Sequence, residues 1–327
     1  MSSITIPASD HRREHIRSFN IIRDLSKVAD LIEMCFYSTM DNDGIRYIQQ
    51  MRRASQDSGF LQRAAATLET ASMPLAGYVW EENGEIVGNA SLVPFRKNGS
   101  RIYLVANIAV HPEYRRRGIA RALTEQAMVH ARTRKANSIW LHVRDDNPGA
   151  IDLYRQLGFV ERFRRSTWQA AKEKLMPEVS PFYQIMKRHS RFWPQQRQWL
   201  KKTYPDAMTW YREPNWQALA PGIWHWMYRL FVEYNVMQWA ICRKNQLLAV
   251  VSWIPGHTPN DPLWVASPPD ADQQALTTLL QYVRWNIPYR RELHVDYPAG
   301  FGEEAFRKAG FQFARTLIWM QAPGATS

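Results

Sequence analysis

Apolar residues along the first half of the chain switch repeatedly between helical spacing and short continuous runs, which predicts alternating helices and strands. Over residues 21–36, Val28, Leu31, Ile32 and Cys35 share a helix face, with Asp24 and Ser26 as candidate caps near its start. Residues 78–80 and 85–93 are apolar runs flanking Glu81-Glu82-Asn83-Gly84, and an Asn-Gly pair between such runs predicts an antiparallel hairpin. Residues 102–110 form a third run, 117–132 return to helical periodicity, and 138–143 read as another strand. A short helix is predicted over 148–157, with Asn147 as N-cap, Pro148 at its first position and Gly158 just past its end. A strand follows from Phe159.

A charged stretch with two prolines, residues 169–181, marks a boundary between domains 1–170 and 171–327. Beyond it the pattern recurs. Leu293-His294-Val295 through Gly310-Phe311 lies in register with Leu141-His142-Val143 through Gly158-Phe159 at an offset of 152, with six of nineteen positions identical. Upstream, residues 239–255 follow 78–94 at an offset of 161, so nine residues are missing from the interval between. In that interval the first copy keeps a basic, glycine-containing turn, whereas no glycine occurs from His257 through Ala299. The chain therefore reads as a duplicated domain whose second copy has lost this turn.

Composition narrows the class. The 327 residues, 45% hydrophobic and 22% charged, supply enough apolar surface for two packed domains, which excludes a disulfide-stapled miniature and a disordered chain. The apolar-looking stretch 219–241 is interrupted by His225, Arg229 and Glu233, so no bilayer crossing is expected. Residues 1–17 do not read as a secretory signal, and the only two cysteines, Cys35 and Cys242, fit a reducing compartment, so a cytoplasmic protein without a disulfide is expected. A net charge of +12 favours an anionic partner: nucleic acid, an acidic membrane surface or a polyphosphate cofactor.

The segment from Val110 to Leu123 carries the most chemistry. A strand ends in Arg115-Arg116-Arg117-Gly118-Ile119-Ala120-Arg121, and a helix begins at once. Small residues at 118 and 120 let backbone N–H groups converge on an anion, and the helix N-terminus adds partial positive charge. Such a turn is a pyrophosphate cradle or, more plainly, a solvated helix start. It is neither the Walker lysine loop nor the dinucleotide G-x-G-x-x-G turn.

Arg115-x-x-Gly118-x-Ala120 resembles the pyrophosphate signature of the GNAT family of N-acetyltransferases, R/Q-x-x-G-x-G/A. Leu141-His142-Val143, Asn147, Ala150, Leu153-Tyr154 and Gly158-Phe159 resemble that family's second block. The resemblance covers roughly residues 19–168. It implies an α/β protein of two GNAT-like lobes, each a mixed twisted sheet flanked by helices, the first with two central parallel strands that splay apart and the second degenerate. Acetyl-CoA would lie in the gap, its pyrophosphate on residues 115–120 and its thioester carbonyl facing backbone N–H near Ile108, Ala109 and Val110. Tyr154 matches the tyrosine that donates a proton to the departing thiolate; its other reading is a packing ring. Asn147 is N-cap, ligand to the pantetheine arm, or both.

The general base is open. Residues 102–110 contain no carboxylate, and His142 stands where ribosomal-protein alanine acetyltransferases of this family carry a glutamate. An imidazole could take a proton from an ammonium, directly or through water. The recurrence of His294 in the second copy instead favours a structural histidine. The resemblance implies direct acetyl transfer to an amine, with acetyl-CoA as cosubstrate and no metal. The expected acceptor is the amine of a small molecule; acetylation of a protein N-terminus or lysine, or a non-catalytic acyl-CoA-binding module, are the alternative functions. Since a CoA loop accounts for Arg115 to Arg117, neither nucleic acid nor a membrane is expected as a partner. Two-lobed acyltransferases such as mycothiol synthase have a similar plan with the intact site in the other lobe. Trp239, Trp253 and Trp264 are expected either to shape the acceptor cleft or to fill the second core.

Overall fold

The computed structural model describes residues 14–40, 42–59, 61–62, 76–177, 180–208, 210–211, 216–221, 236–255, 260–288 and 291–325. Most of the terminal stretch 1–17 and of the stretch 219–241 lies outside these residues. The chain divides into two compact units, Met1–Arg162 with Ile318–Ser327, and Phe163–Leu317.

In the first unit, β1 (Ile16–Ser18), β2 (Ala76–Glu82), β3 (Glu85–Lys97), β4 (Ser100–Val110) and β5 (Ser138–Arg144) lie side by side in that order. The first four are antiparallel, while β4 and β5 run parallel. The β2–β3 turn is the expected one: Asn83 and Gly84 both take positive φ, 52° and 82°, as a two-residue hairpin turn requires. Helices α1 (Ile21–Phe36) and α2 (Asn42–Gln56) cover one face, packing Leu25, Val28, Ile32, Ile48 and Met51 onto Val79, Ile86 and Ala109. On the other face, α3 (Ile119–Thr133) and α4 (Pro148–Gln156) bring Leu123, Ala127, Ile151 and Tyr154 onto Ala90, Leu92, Val105 and Leu141. Each large side chain so buried contributes about 1.5–3 kcal/mol.

The cap of α1 is neither Asp24 nor Ser26. Asn20 Oδ1 accepts from the backbone N–H of Ile22 and Arg23, and Asp24, one turn inside, is buried against Arg17 and the Asn20 N–H. A cap oxygen must reach back to N–H groups that follow it, which favours the residue just before the helix. The start of α3 is seated by Gly88 on β3. A Cβ there would stand 2.8 Å from Ile119 Cγ2 and 3.0 Å from Leu123 Cδ1, so only glycine lets the helix lie this close to the strand.

The second unit is built on β7 (Gln184–Lys187), β8 (Met237–Arg243), β9 (Gln246–Trp253), β10 (Asn260–Ala266) and β11 (Glu292–Pro298). Its longer helices among the described residues are α5 (Trp193–Thr203), α6 (Gln273–Asn286) and α7 (Glu303–Lys308). The order β8-β9-β10-α6-β11-α7 repeats β2-β3-β4-α3-β5-α4, with β10 and β11 parallel. Trp253 and Trp264 are buried in this unit's own clusters, and Trp239 is half-buried beside one of them.

The strands that follow α4 and α7 do not stay where a simple tandem repeat would leave them. From Phe163 onward, β6 (Val160–Ala170) belongs to the second unit and pairs antiparallel with β11. In the first unit the place beside β5 is held by the last part of β12 (Phe311–Pro323), whose Ile318, Met320 and Ala322 complete the core under α3 and α4.

Candidate active site

The basic turn lies at the head of α3. Gly118 is its N-cap in the left-handed region, at φ 82°, and brings no side-chain oxygen to the N–H groups of Ile119, Ala120 and Arg121. The first turn of the helix is therefore an open set of donors carrying the positive end of the helix dipole. Arg115, Arg116 and Arg117 are exposed around it. Arg115 Nε donates to the Val110 carbonyl at 3.2 Å, and Arg117 donates to the Glu113 carbonyl at 3.1 Å with its guanidinium over the Tyr114 ring. Arg121 bonds Gln156 across to α4. The Ile119 and Ala109 side chains are buried, so these two residues can offer a ligand only their backbones. This donor set suits a polyphosphate group.

Beside the turn the two parallel strands separate. Pairing of β4 with β5 is confined to Ile102↔Ser138, Tyr103↔Ile139 and Leu104↔Trp140, so Val105–Val110 and Leu141–Arg144 are unpaired with each other. In this stretch β4 carries a bulge: Ala106 pairs Ser91 and Ala109 pairs Asn89, leaving Asn107 and Ile108 opposite Ala90. Asn107 sits at φ 51°. Its carbonyl accepts from Asn89 Nδ2 on β3 at 2.8 Å. Because the peptide unit is planar and trans, the Ile108 N–H points the opposite way, away from β3 and toward the side where β5 has parted. Cys35 lies close by, its thiol donating to the Val110 carbonyl at 3.2 Å, and burial pushes its pKa up.

Asn147 caps α4, its Oδ1 accepting from the Ala150 N–H at 3.1 Å. Tyr154, two turns on from that cap in the same helix, packs its ring edge-on against Phe159 within the α3/α4 core. Burial pushes its phenol well above the ordinary value, so it holds its proton at neutral pH. The hydroxyl has no hydrogen-bond partner among the described residues. His142 does not join it: Leu141 and Val143 point into the core that holds Tyr154, and strand alternation turns His142 to the opposite face. There its half-buried ring lies 4.9 Å from that of Trp319.

The second unit differs at each of these points. Asp272 caps α6, its carboxylate accepting from the Ala275 N–H at 3.0 Å and from the Tyr183 hydroxyl, and pairing with Arg243. The register of β10 against β9 runs without a bulge from Leu263↔Trp253 to Ala266↔Val250. Ser267 and Tyr297, at the ends of β10 and β11, are hydrogen-bonded at 2.8 Å and tie the two strands together. Phe306 stands fully buried at the position of Tyr154, and Ala299 at that of Asn147. His294, the counterpart of His142, bonds Asn260 at 2.6 Å.

Sequence reasoning missed Tyr47, Asn89, Ser91 and Asn107, which are joined by hydrogen bonds at the bulge. The signal for them was an asparagine inside each of two apolar strand runs.

Residues 44–159 match the model of the acetyltransferase (GNAT) family. The [ribosomal protein bS18]-alanine N-acetyltransferase of Salmonella typhimurium is 43% identical over 67 residues, 20% of this chain and 45% of that protein. The chain thus spans less than half the length of this curated relative. A tandem GNAT protein from the clavulanic acid biosynthesis pathway superposes with a TM-score of 0.51 at 15% identity, over 95% of this chain and 99% of that one. An N-acetyltransferase of the same family from Sphaerobacter thermophilus gives 0.54 at 14% identity, over 96% and 98%. Both likenesses are of fold. With its signature turn, parted strands and matched family model, the first unit carries a GNAT acetyltransferase domain over residues 44–159.

Proposed function

We propose that the first unit binds acetyl-CoA and transfers its acetyl group to the amine of a small molecule by direct attack in a ternary complex. The observation that carries this reading is the glycine-capped helix end at Gly118, set among three arginines beside a gap between parallel strands. The backbone of Ile119, Ala120 and Arg121, with Arg115, Arg116 and Arg117, would hold the pyrophosphate. The Nδ2 of Asn147 is the group left to meet the pantetheine arm, since its Oδ1 already caps α4. Acetyl-CoA supplies an activated thioester carbon.

The chain's own groups then divide the reaction. The Ile108 N–H, with that of Val110 two residues on along the same edge, faces the oxygen that gains charge as the amine nitrogen bonds to carbon, while Ala109 between them pairs with Asn89 on β3. When the C–S bond breaks, the Tyr154 hydroxyl gives its proton to the thiolate. The proton released by the amine goes to His142 or to water, and the placement of His142 on the far face of β5 favours a water between.

A second reading has support of its own. The similarity to ribosomal-protein alanine acetyltransferases favours the α-amine of a protein as acceptor. Incubating the full chain with acetyl-CoA and panels of small amines and of peptides, and detecting released thiol together with acetylated product, separates the two. Binding of acetyl-CoA without thiol release for any acceptor would instead describe a non-catalytic binding module. The cytoplasm, where acetyl-CoA and its acceptors meet, is the proposed compartment; no helix among the described residues is long and apolar enough to cross a membrane.

A further inference from the structure

A chain of polar groups runs from α2 into the bulge of β4, and none of the roles above uses it. Asn107 Nδ2 donates to the Tyr47 hydroxyl at 2.9 Å. Asn89 Nδ2 donates to the Asn107 carbonyl at 2.8 Å and to Ser91 Oγ at 3.2 Å, and Asn89 and Ser91 are both buried. The two bonds to Asn107 hold different things. Its side chain is fixed by Tyr47, while its backbone occupies the left-handed region, which an asparagine tolerates but does not prefer. Its carbonyl is fixed by Asn89, and the planar peptide passes that orientation to the Ile108 N–H. Burial pushes the Tyr47 phenol up to about 12, the Asn107 bond opposing this only in part, so the hydroxyl stays neutral and available as an acceptor at ordinary pH.

We propose that Tyr47 is a positioning residue for acyl transfer, which through Asn107 locks the bulge so that the Ile108 N–H is aimed in advance at the thioester oxygen. The proposal rests on the acetyl-transfer reading above. A donor already in place needs no reorganisation as negative charge develops, so loosening it weakens the transition state more than the bound substrate. A tyrosine that merely filled space between α2 and β4 would do its work equally well as phenylalanine.

The test compares the parent chain with Tyr47→Phe and Asn107→Gly, the latter keeping the left-handed backbone accessible while removing Nδ2. Each variant is expected to lower kcat about tenfold with KM for acetyl-CoA within about twofold, and the double variant to lose no more than either alone, as for two residues acting through one bond. The amide cross-peak of Ile108 in a nitrogen-15 spectrum is expected to shift in Tyr47→Phe with no substrate present. An unshifted Ile108 amide, or a shifted one with parental kcat, overturns the proposal. So does a loss of acetyl-CoA affinity and melting temperature together, which would make Tyr47 part of the scaffold. A parent chain that binds no acetyl-CoA overturns the acetyl-transfer reading and this proposal with it; a parent that turns over beside an equally fast Tyr47→Phe overturns this proposal alone.

Discussion

The Asp272 carboxylate accepts a hydrogen bond from the Ala275 backbone N–H at 3.0 Å, at the head of the helix that in the second unit corresponds to α3. Gly118, at the head of α3 itself, brings no side chain. A negative group is thus built into one helix start and left out of the other. Partial burial opposes ionisation of Asp272, but the bonds from Ala275 and Tyr183 and the charge of Arg243 outweigh it and hold the carboxyl below its ordinary value. The internal anion is therefore charged at neutral pH and competes with any external one. We expect calorimetric titration to give one acetyl-CoA per chain. A stoichiometry of two would mean that the second unit binds as well.

Gly118→Val should weaken acetyl-CoA binding at least tenfold. It places a β-branched side chain among the first-turn donors and forces it into the left-handed region, where a non-glycine residue costs about 1–3 kcal/mol. Circular dichroism should show the fold intact. Unchanged affinity in the folded variant would remove this turn from the cofactor site.

Tyr154→Phe keeps the ring that packs on Phe159 and removes the only group on α4 placed here as a proton donor. Turnover should fall by about 10² with acetyl-CoA affinity preserved, as for loss of a general acid. Near-parental turnover, with chemistry shown to limit the rate, would leave the residue a packing ring.

For His142→Gln, the measurement is the pH dependence of kcat. If the imidazole receives the amine proton, through water or directly, the variant loses most rate near neutral pH and one ionisation disappears from the profile. A superimposable profile would return His142 to a structural part against Trp319.

Asp24 offers a stability test independent of function. Burial works against its ionisation, while Arg17, the Asn20 N–H and Arg23 more than compensate and keep its carboxyl below the ordinary value. A lowered folded-state pKa means that the stabilisation is present above the unfolded pKa of about 3.9 and fades as pH falls through the folded value. Asp24→Asn should therefore lower stability at pH 7 by about 1–3 kcal/mol, with parent and variant converging in acid. A gap that persists unchanged at pH 2 would contradict this.

Much of the first unit could be read from the sequence because its signals are local. The Asn83-Gly84 turn, Asn147 with Pro148, and Gly118 each specify a backbone conformation within a few residues, and the strands and helices between them fall where periodicity puts them. Three features needed more than local pattern. The bulge at Asn107 depends on partners at 47, 89 and 91, far along the chain or on the next strand. The Asp272 cap was hidden because its effect is to exclude a ligand, and a proline-rich acidic turn reads as an ordinary loop. The neighbours of β6 and β12 were illegible for a different reason. Both follow equivalent helices with similar alternation, and an alternating strand states which face is apolar but not which edge it will join.

The order of synthesis gives that last feature a consequence. Ile318, Met320 and Ala322 belong to the first unit's core, yet they are translated after every residue of the second. While the ribosome is still making the second unit, the edge of β5 has no strand and the floor beneath α3 and α4 lacks three side chains. The proposed acetyl-CoA site is therefore among the last parts of the molecule to mature, and a nascent chain stalled before residue 318 would hold the signature turn without the packing that steadies it.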